Sequence, residues 1–181
     1  MNSSIKNLVK SLLIVIVLTS CDYGETLQAY FVTKQETPNF ISIDIPTSFV
    51  NIDKVTLTKD QEEAYESIDK LNMLGYTISD DNIEEYNTEL EKVNLILKDE
   101  RYQELLRAGN TTDGKIVIKY IGTETEIDEL IIFGSATDRG FAIVRVLGNN
   151  MKPAQIMTLG DVIQDLDSEE NNVQDFMKFF Q

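Results

Sequence analysis

Lys115-Ile-Val-Ile-Lys-Tyr-Ile121, Asp128-Glu-Leu-Ile-Ile-Phe133 and Phe141-Ala-Ile-Val-Arg-Val-Leu147 are three β-rich runs in close succession. The links between them are short and contain glycine: Gly122-Thr-Glu-Thr125, and the stretch from Gly134 to Gly140. Runs of this composition joined by such links read as antiparallel hairpins, so residues 115–147 predict a three-strand meander. Upstream, the period changes. Ile83, Tyr86, Leu90, Val93 and Leu97 follow 3-4-3-4 spacing, which gives one apolar helical face. Asp80 or Asp81 is expected to cap that helix, with Glu84 and Glu85 at its positive end. Glu100 to Ala108 reads as a shorter helix with Gly109 as its C-cap.

Further out, Phe40 to Ile45 alternates, with Ile41, Ile43 and Ile45 on one face, and predicts a half-buried strand closed by Pro46. Thr47 or Ser48 then caps a helical turn carrying Phe49, Val50 and Ile52. Thr58 precedes a polar helix from about Asp60 to Lys70 with Ala64, Tyr65 and Ile68 inward, and Leu71 to Ile78 reads as a second strand. Before all of these, Leu27, Tyr30 and Phe31 predict a short helix ended by Pro38. After them, Pro153 opens a helix with Ile156, Leu159, Ile163 and Leu166 on one face. The first two strands, joined through a helix, can lie parallel with a right-handed crossover. The expectation is an α+β domain: one mixed, mostly antiparallel sheet of about five strands, covered by helices on one face.

The first twenty residues stand apart. Lys6 and Lys10 are their only charges, Leu12 to Leu18 is apolar, and Leu18-Thr-Ser-Cys21 follows. A basic start, an apolar middle and a small-residue cleavage site make a signal peptide. The apolar run is short of the roughly 20 residues that span a bilayer. Leu18-Thr-Ser-Cys21 fits the lipobox of bacterial lipoproteins, in which the cysteine thiol takes a diacylglycerol and becomes the first residue of the mature chain. Cys21 is the sole cysteine, so its lipidation (with palmitate among the acyl chains) leaves no thiol for a disulfide or a thiolate metal site. The chain therefore divides into a signal peptide (1–20), an anchor and N-terminal helix (21–38), an α+β domain (39–167) and a C-terminal tail or helix (168–181).

Composition narrows the chemistry. The whole chain carries a formal charge of −15. Two of its sixteen Lys and Arg and none of its thirty-one Asp and Glu lie in the signal peptide, so the mature part is more acidic still. Such a chain repels nucleic acid, and membrane attachment falls to the acyl chains rather than to a basic face. There is no histidine, which removes the commonest general base and metal ligand. No cofactor and no metal are expected.

Several motifs offer candidate sites. Ser67-Ile-Asp-Lys70 spells S-x-x-K but falls late in a predicted helix, with no K-T-G strand to complete an acylase. Asp165-Leu-Asp-Ser-Glu-Glu170 lacks the EF-hand pattern and reads as a solvated acidic linker. Glu84/Glu85, Asp80/Asp81 and Glu124/Glu126 offer paired acids for glycosidase work, but no spacing selects a pair. No catalytic residue is assigned. Arg145, in an apolar strand, is either an inward charge guarding a sheet edge or a contact for an anion. Phe176, Phe179 and Phe180 in the tail are either a partner-docking or membrane-touching motif or packed on the domain.

Leu97-Lys-Asp-Glu-Arg-Tyr-Gln-Glu-Leu-Leu106, Asp113-Gly-Lys-Ile-Val-Ile-Lys-Tyr120, Glu129-Leu-Ile-Ile132 and Gly148-Asn-Asn-Met-Lys-Pro-Ala-Gln-Ile156 follow one another in that order. Together they resemble a family of small Bacteroidota lipoproteins catalogued as domain of unknown function 4252. The strand Ile41 to Ile45 running into Pro-Thr-Ser-Phe49 fits as well, and the resemblance covers most of residues 40–166. It implies no catalytic residue, since the family has no established activity. Members lie near sigma-factor and anti-sigma genes, so the resemblance implies a role in envelope signalling. The expectation is a non-enzymatic binding or interaction module, lipid-anchored in the cell envelope at the periplasmic or surface face of the outer membrane, with an envelope protein as partner. The alternative is a carboxylate-dependent hydrolase acting on envelope glycan or peptide, which would need a cleft with two facing acids of raised pKa.

Overall fold

The computed structural model describes residues 24–47, 56–110 and 114–165. The predicted turn over Ser48 to Ile52, the lipobox and the C-terminal tail lie outside these residues. The meander read from the sequence is the centre of one sheet. Its strands are β4 (Gly114–Gly122), β5 (Ile127–Ala136) and β6 (Gly140–Met151), each paired antiparallel with the next. Gly140 sits at φ 116°, a conformation that favours glycine, and a side chain there would run into the Tyr76 carbonyl oxygen. β1 (Phe40–Pro46) and β2 (Ile68–Thr77) add to the β6 side, and β3 (Gln103–Asn110) adds to β4. The order is β1-β2-β6-β5-β4-β3, antiparallel throughout.

The sheet is therefore α+β as expected, with six strands rather than five and no parallel pair. β1 and β2 do not form a parallel crossover. Phe40 pairs with Tyr76 and Pro46 with Lys70, so β1 ends where β2 begins, and the intervening helix leaves and returns at one end of the sheet. That helix, α2 (Lys59–Ser67), carries the predicted Thr58 cap as a full capping box with Gln61. It stops at Ser67 rather than Lys70, because Ile68 and Lys70 already pair with Gly148 and Leu147 of β6.

The largest departure is Glu100 to Ala108, expected as a helix. Gln103–Asn110 is instead the strand β3, laid along the free edge of β4 from Gln103↔Tyr120 to Asn110↔Gly114. Glu, Leu, Arg and Ala favour helix locally, but an open ladder of backbone donors and acceptors outweighs a propensity difference of a few tenths of a kcal/mol per residue. Gly109, at φ 79°, helps form the β3–β4 hairpin and caps no helix.

Helices cover both faces of the sheet, not one. On the first face lie α1 (Leu27–Lys34) and α3 (Ile83–Ile96), whose Leu27, Tyr30, Phe31, Tyr86 and Val93 pack on Leu74, Tyr76, Phe133, Phe141 and Ile143. Tyr76 and Phe141 stack there with ring centroids 5.6 Å apart. On the second face, Ala64 of α2 and Ile156 of α4 (Pro153–Asp165) pack with Met73, Leu130, Ala142, Val144 and Val146. The double burial follows from sequence that does not alternate: Ala142 to Val146 is buried at every position, Arg145 included. Each large apolar side chain so buried contributes about 1.5–3 kcal/mol. Asn82 rather than Asp80 or Asp81 is the N-cap of α3, with its side chain holding the preceding turn through Ser79 N–H and Thr77 O.

Candidate functional site

Arg145 is 3% exposed on β6, which pairs with a strand on each side, so it guards no edge. It lies on the face covered by α1. Its Nε and Nη2 donate to the two carboxylate oxygens of Glu129 on β5 at 2.6 and 3.1 Å, and Nη1 donates to Gln28 Oε1 at 2.5 Å. The guanidinium lies 5.1 Å from the Phe31 ring centroid. The anion that Arg145 meets is thus Glu129. Beside it, Asn72 pairs in register with Arg145 and donates to Asp44 on β1. The result is a polar row across the sheet in which no buried side-chain nitrogen or oxygen is left without a partner among the described residues.

A second buried charge was not read from the sequence. Glu89, on the inward face of α3, accepts from Tyr30 Oη at 2.9 Å, Lys34 Nζ at 2.8 Å and Lys92 Nζ at 2.7 Å. Burial opposes its ionisation, but the hydrogen bonds from Lys34, Lys92 and Tyr30 outweigh it and hold the carboxyl below its usual range. In turn, burial and the Glu89 carboxylate push the Tyr30 hydroxyl upward. Glu89 lies three residues after Tyr86 and four before Val93 on the apolar stripe, and that misplaced acid was the available signal.

The acids weighed for hydrolysis do not converge. Asp80, Asp81, Glu84, Glu85, Glu124 and Glu126 are all exposed. Glu85 accepts from Tyr76 Oη and Asn39 Nδ2, both at 3.0 Å. Desolvation, with Glu85 alongside, pushes the Tyr76 hydroxyl up to about 12. Ser67 and Lys70 fall on opposite sides of the helix–strand junction, and Ser67 Oγ donates to Ala64 O. Among the described residues no three Asp, Glu, His or Cys stand together as a metal site. No described helix is long and apolar enough to cross a membrane. Phe176, Phe179 and Phe180, like Cys21, lie outside the described residues.

The opposite side of the sheet differs. All eight residues of β3 are exposed. On the second face, beyond α2 and α4, Leu106 pairs with Ile118 and Ala108 with Ile116, leaving Leu106 and Ile116 largely in solvent. A bulge falls between Glu104 and Leu106, at Leu105, itself exposed. On the first face, β3, β4 and the C-terminal end of α3 enclose a cleft of about 290 Å³. Lys98, Arg107, Lys115 and Lys119 line its walls, with Glu104 the one acid. Leu97, Val117 and Phe133 give it an apolar floor. The sequence reading missed this cleft because a helix over Glu100 to Ala108 would carry Arg107 away from β4. Lys115 and Lys119, at strand period on one face of β4, were the signal.

A family model described as "Domain of unknown function (DUF4252)" matches residues 30–159. No curated protein and no solved structure matches the chain.

Proposed function

We propose that this chain, which belongs to the family described as Domain of unknown function (DUF4252), is a lipid-anchored, non-enzymatic interaction module of the cell envelope. The diacylglycerol sits on Cys21, and the module stands at the outer membrane on its periplasmic or surface face, where it relays an envelope signal through a protein partner. The observation that carries the reading is the β3–β4 hairpin. It combines a fully exposed edge strand with outward Leu105, Leu106 and Ile116. An unpaired strand edge accepts main-chain hydrogen bonds from an added strand, and neighbouring apolar side chains supply specificity. The other edge, β1, ends in Pro46, carries Asp44 and is half-buried over much of its length, which makes it a poorer template. The non-enzymatic part of the reading is supported by the buried carboxylates, since Glu89 and Glu129 are taken up by internal partners.

Cross-linked pull-down from the native envelope, with Cys21→Ala and Leu106→Lys as parallel baits, tests the proposal. One partner retained by the wild-type chain and lost from both variants is expected. The same partner recovered equally from Leu106→Lys would remove the hairpin from the account. Turnover in a glycan or peptide screen that vanished with one Asp or Glu change would replace it with the hydrolase.

A further inference from the structure

The cleft beneath the C-terminal end of α3 gathers four of the sixteen Lys and Arg of a chain with formal charge −15. Elsewhere among the described residues most cations are matched: Lys34 and Lys92 by Glu89, Arg145 by Glu129, Arg101 by Asp99, Lys59 and Lys152 by Glu63. In the cleft the matching is incomplete. The Arg107 fork is filled by Glu104, through Nε–Oε1 at 2.9 Å and Nη2–Oε2. Lys119 Nζ spends one donor on Tyr102 O at 2.8 Å. Lys98 and Lys115 make no ion pair with any described residue. The final α3 carbonyls do not compete for a ligand's place, because Val93 O, Leu95 O and Ile96 O are already bonded to the N–H groups of residues 97–99.

We infer that this cleft binds a phosphate-bearing small molecule, with the ammonium groups of Lys98, Lys115 and Lys119 around the phosphate oxygens and the rest of the ligand on Leu97, Val117 and Phe133. Lysine ammonium groups act as compact point charges that suit a multi-oxygen anion, whereas the planar fork suited to a carboxylate is already occupied here by Glu104. The low-dielectric floor strengthens each contact relative to open solvent. Burial holds the Lys119 ammonium below its ordinary pKa, and an incoming phosphate would restore it. This site lies on the α3-covered face of the β3–β4 hairpin rather than along the open backbone edge of β3, and it stands whether or not a protein partner pairs there.

The phosphate could belong to a soluble ester or to a lipid headgroup, and one set of titrations separates the two. The full chain in detergent micelles is titrated with glycerol 3-phosphate by calorimetry. The same chain is tested for binding to phosphatidylglycerol vesicles against phosphatidylcholine vesicles. The variants are Lys98→Glu/Lys115→Glu, and Lys59→Glu as a charge-reversal control on α2. Saturable binding that weakens at least tenfold in the double variant and not in Lys59→Glu is expected, with affinity falling as salt rises. Heat with glycerol 3-phosphate assigns a soluble ester. Binding only to phosphatidylglycerol, lost in the double variant, assigns the lipid. No saturable binding to either probe, or binding that the double variant keeps while its thermal unfolding matches wild type, would overturn the inference.

Discussion

The two ends of the sheet treat charge in opposite ways. Around β2, β6 and β5, where helices cover both faces, each buried charge is closed by its own partners: Arg145 by Glu129 and Gln28, Glu89 by Tyr30, Lys34 and Lys92. Around β3 and β4 the helices run out. Lysines there face a cleft whose one acid, Glu104, is taken up by Arg107, and leucines face solvent. Burying a charge is costly unless it is paired, so the covered half had to satisfy its charges internally. The open half had no such requirement, and its unspent donors and apolar side chains remain available to something else. The buried charges are therefore read as scaffold and the open ones as function.

The sharpest way to break that comparison is to unpair the scaffold. Arg145→Ala leaves Glu129 buried without its counter-ion, and urea unfolding should show a loss of about 3–5 kcal/mol. Arg145→Met/Glu129→Met should recover most of it, because a hydrophobic pair of similar volume replaces the ion pair. If the single variant unfolded with the wild-type midpoint, the pair would not be structural.

Glu89→Gln comes next, at about 1–3 kcal/mol near neutral pH, from the weakened bonds to Lys34, Lys92 and Tyr30. The pH dependence has a fixed sign. The folded-state pKa of Glu89 is lowered from 4.5, so its contribution is complete above the unfolded value and is lost as pH falls through the folded one. Wild-type stability should decline on acidification below about 4.5, and Glu89→Gln should flatten that decline. Parallel acid limbs in the two proteins, followed by circular dichroism in urea, would contradict the assignment.

On the open side the expected effects on stability are small and those on binding large. Leu106→Lys and Lys98→Glu/Lys115→Glu should each stay within about 0.5 kcal/mol of wild type in urea unfolding. The first should lose the partner and the second the phosphate. A loss of several kcal/mol in either would mean that the open half is scaffold too.

The sequence made the covered half legible because its periodicity is strong. The meander, the 3-4-3-4 stripe from Ile83 to Leu97, the Thr58 cap and the Pro153 helix all stand where the pattern puts them. Double coverage is also written there, in the apolar run on either side of Arg145, which a one-faced sheet would have interrupted with polar residues at alternate positions. The open half was obscured by local propensity. Gln103 to Asn110 has a helix-forming composition, and only the free edge of β4, distant in sequence from any pattern within it, makes it a strand. With β3 misread, Arg107 could not meet Lys115 and Lys119, and the cleft had no sequence signature beyond two lysines four residues apart. Glu89 was hidden for a related reason, since its partners Tyr30 and Lys34 belong to a helix more than fifty residues earlier.

Backbone hydrogen exchange on the purified cross-linked complex, compared with the free chain, tests the central claim most directly. The account predicts that the outward-facing amides of Gln103–Asn110 slow at least tenfold in the complex, while those of α3 and β6 keep their free-state rates. Unchanged exchange across Gln103–Asn110, with new protection confined to α2, α4 or β1, would contradict it and move the interaction surface to the covered half.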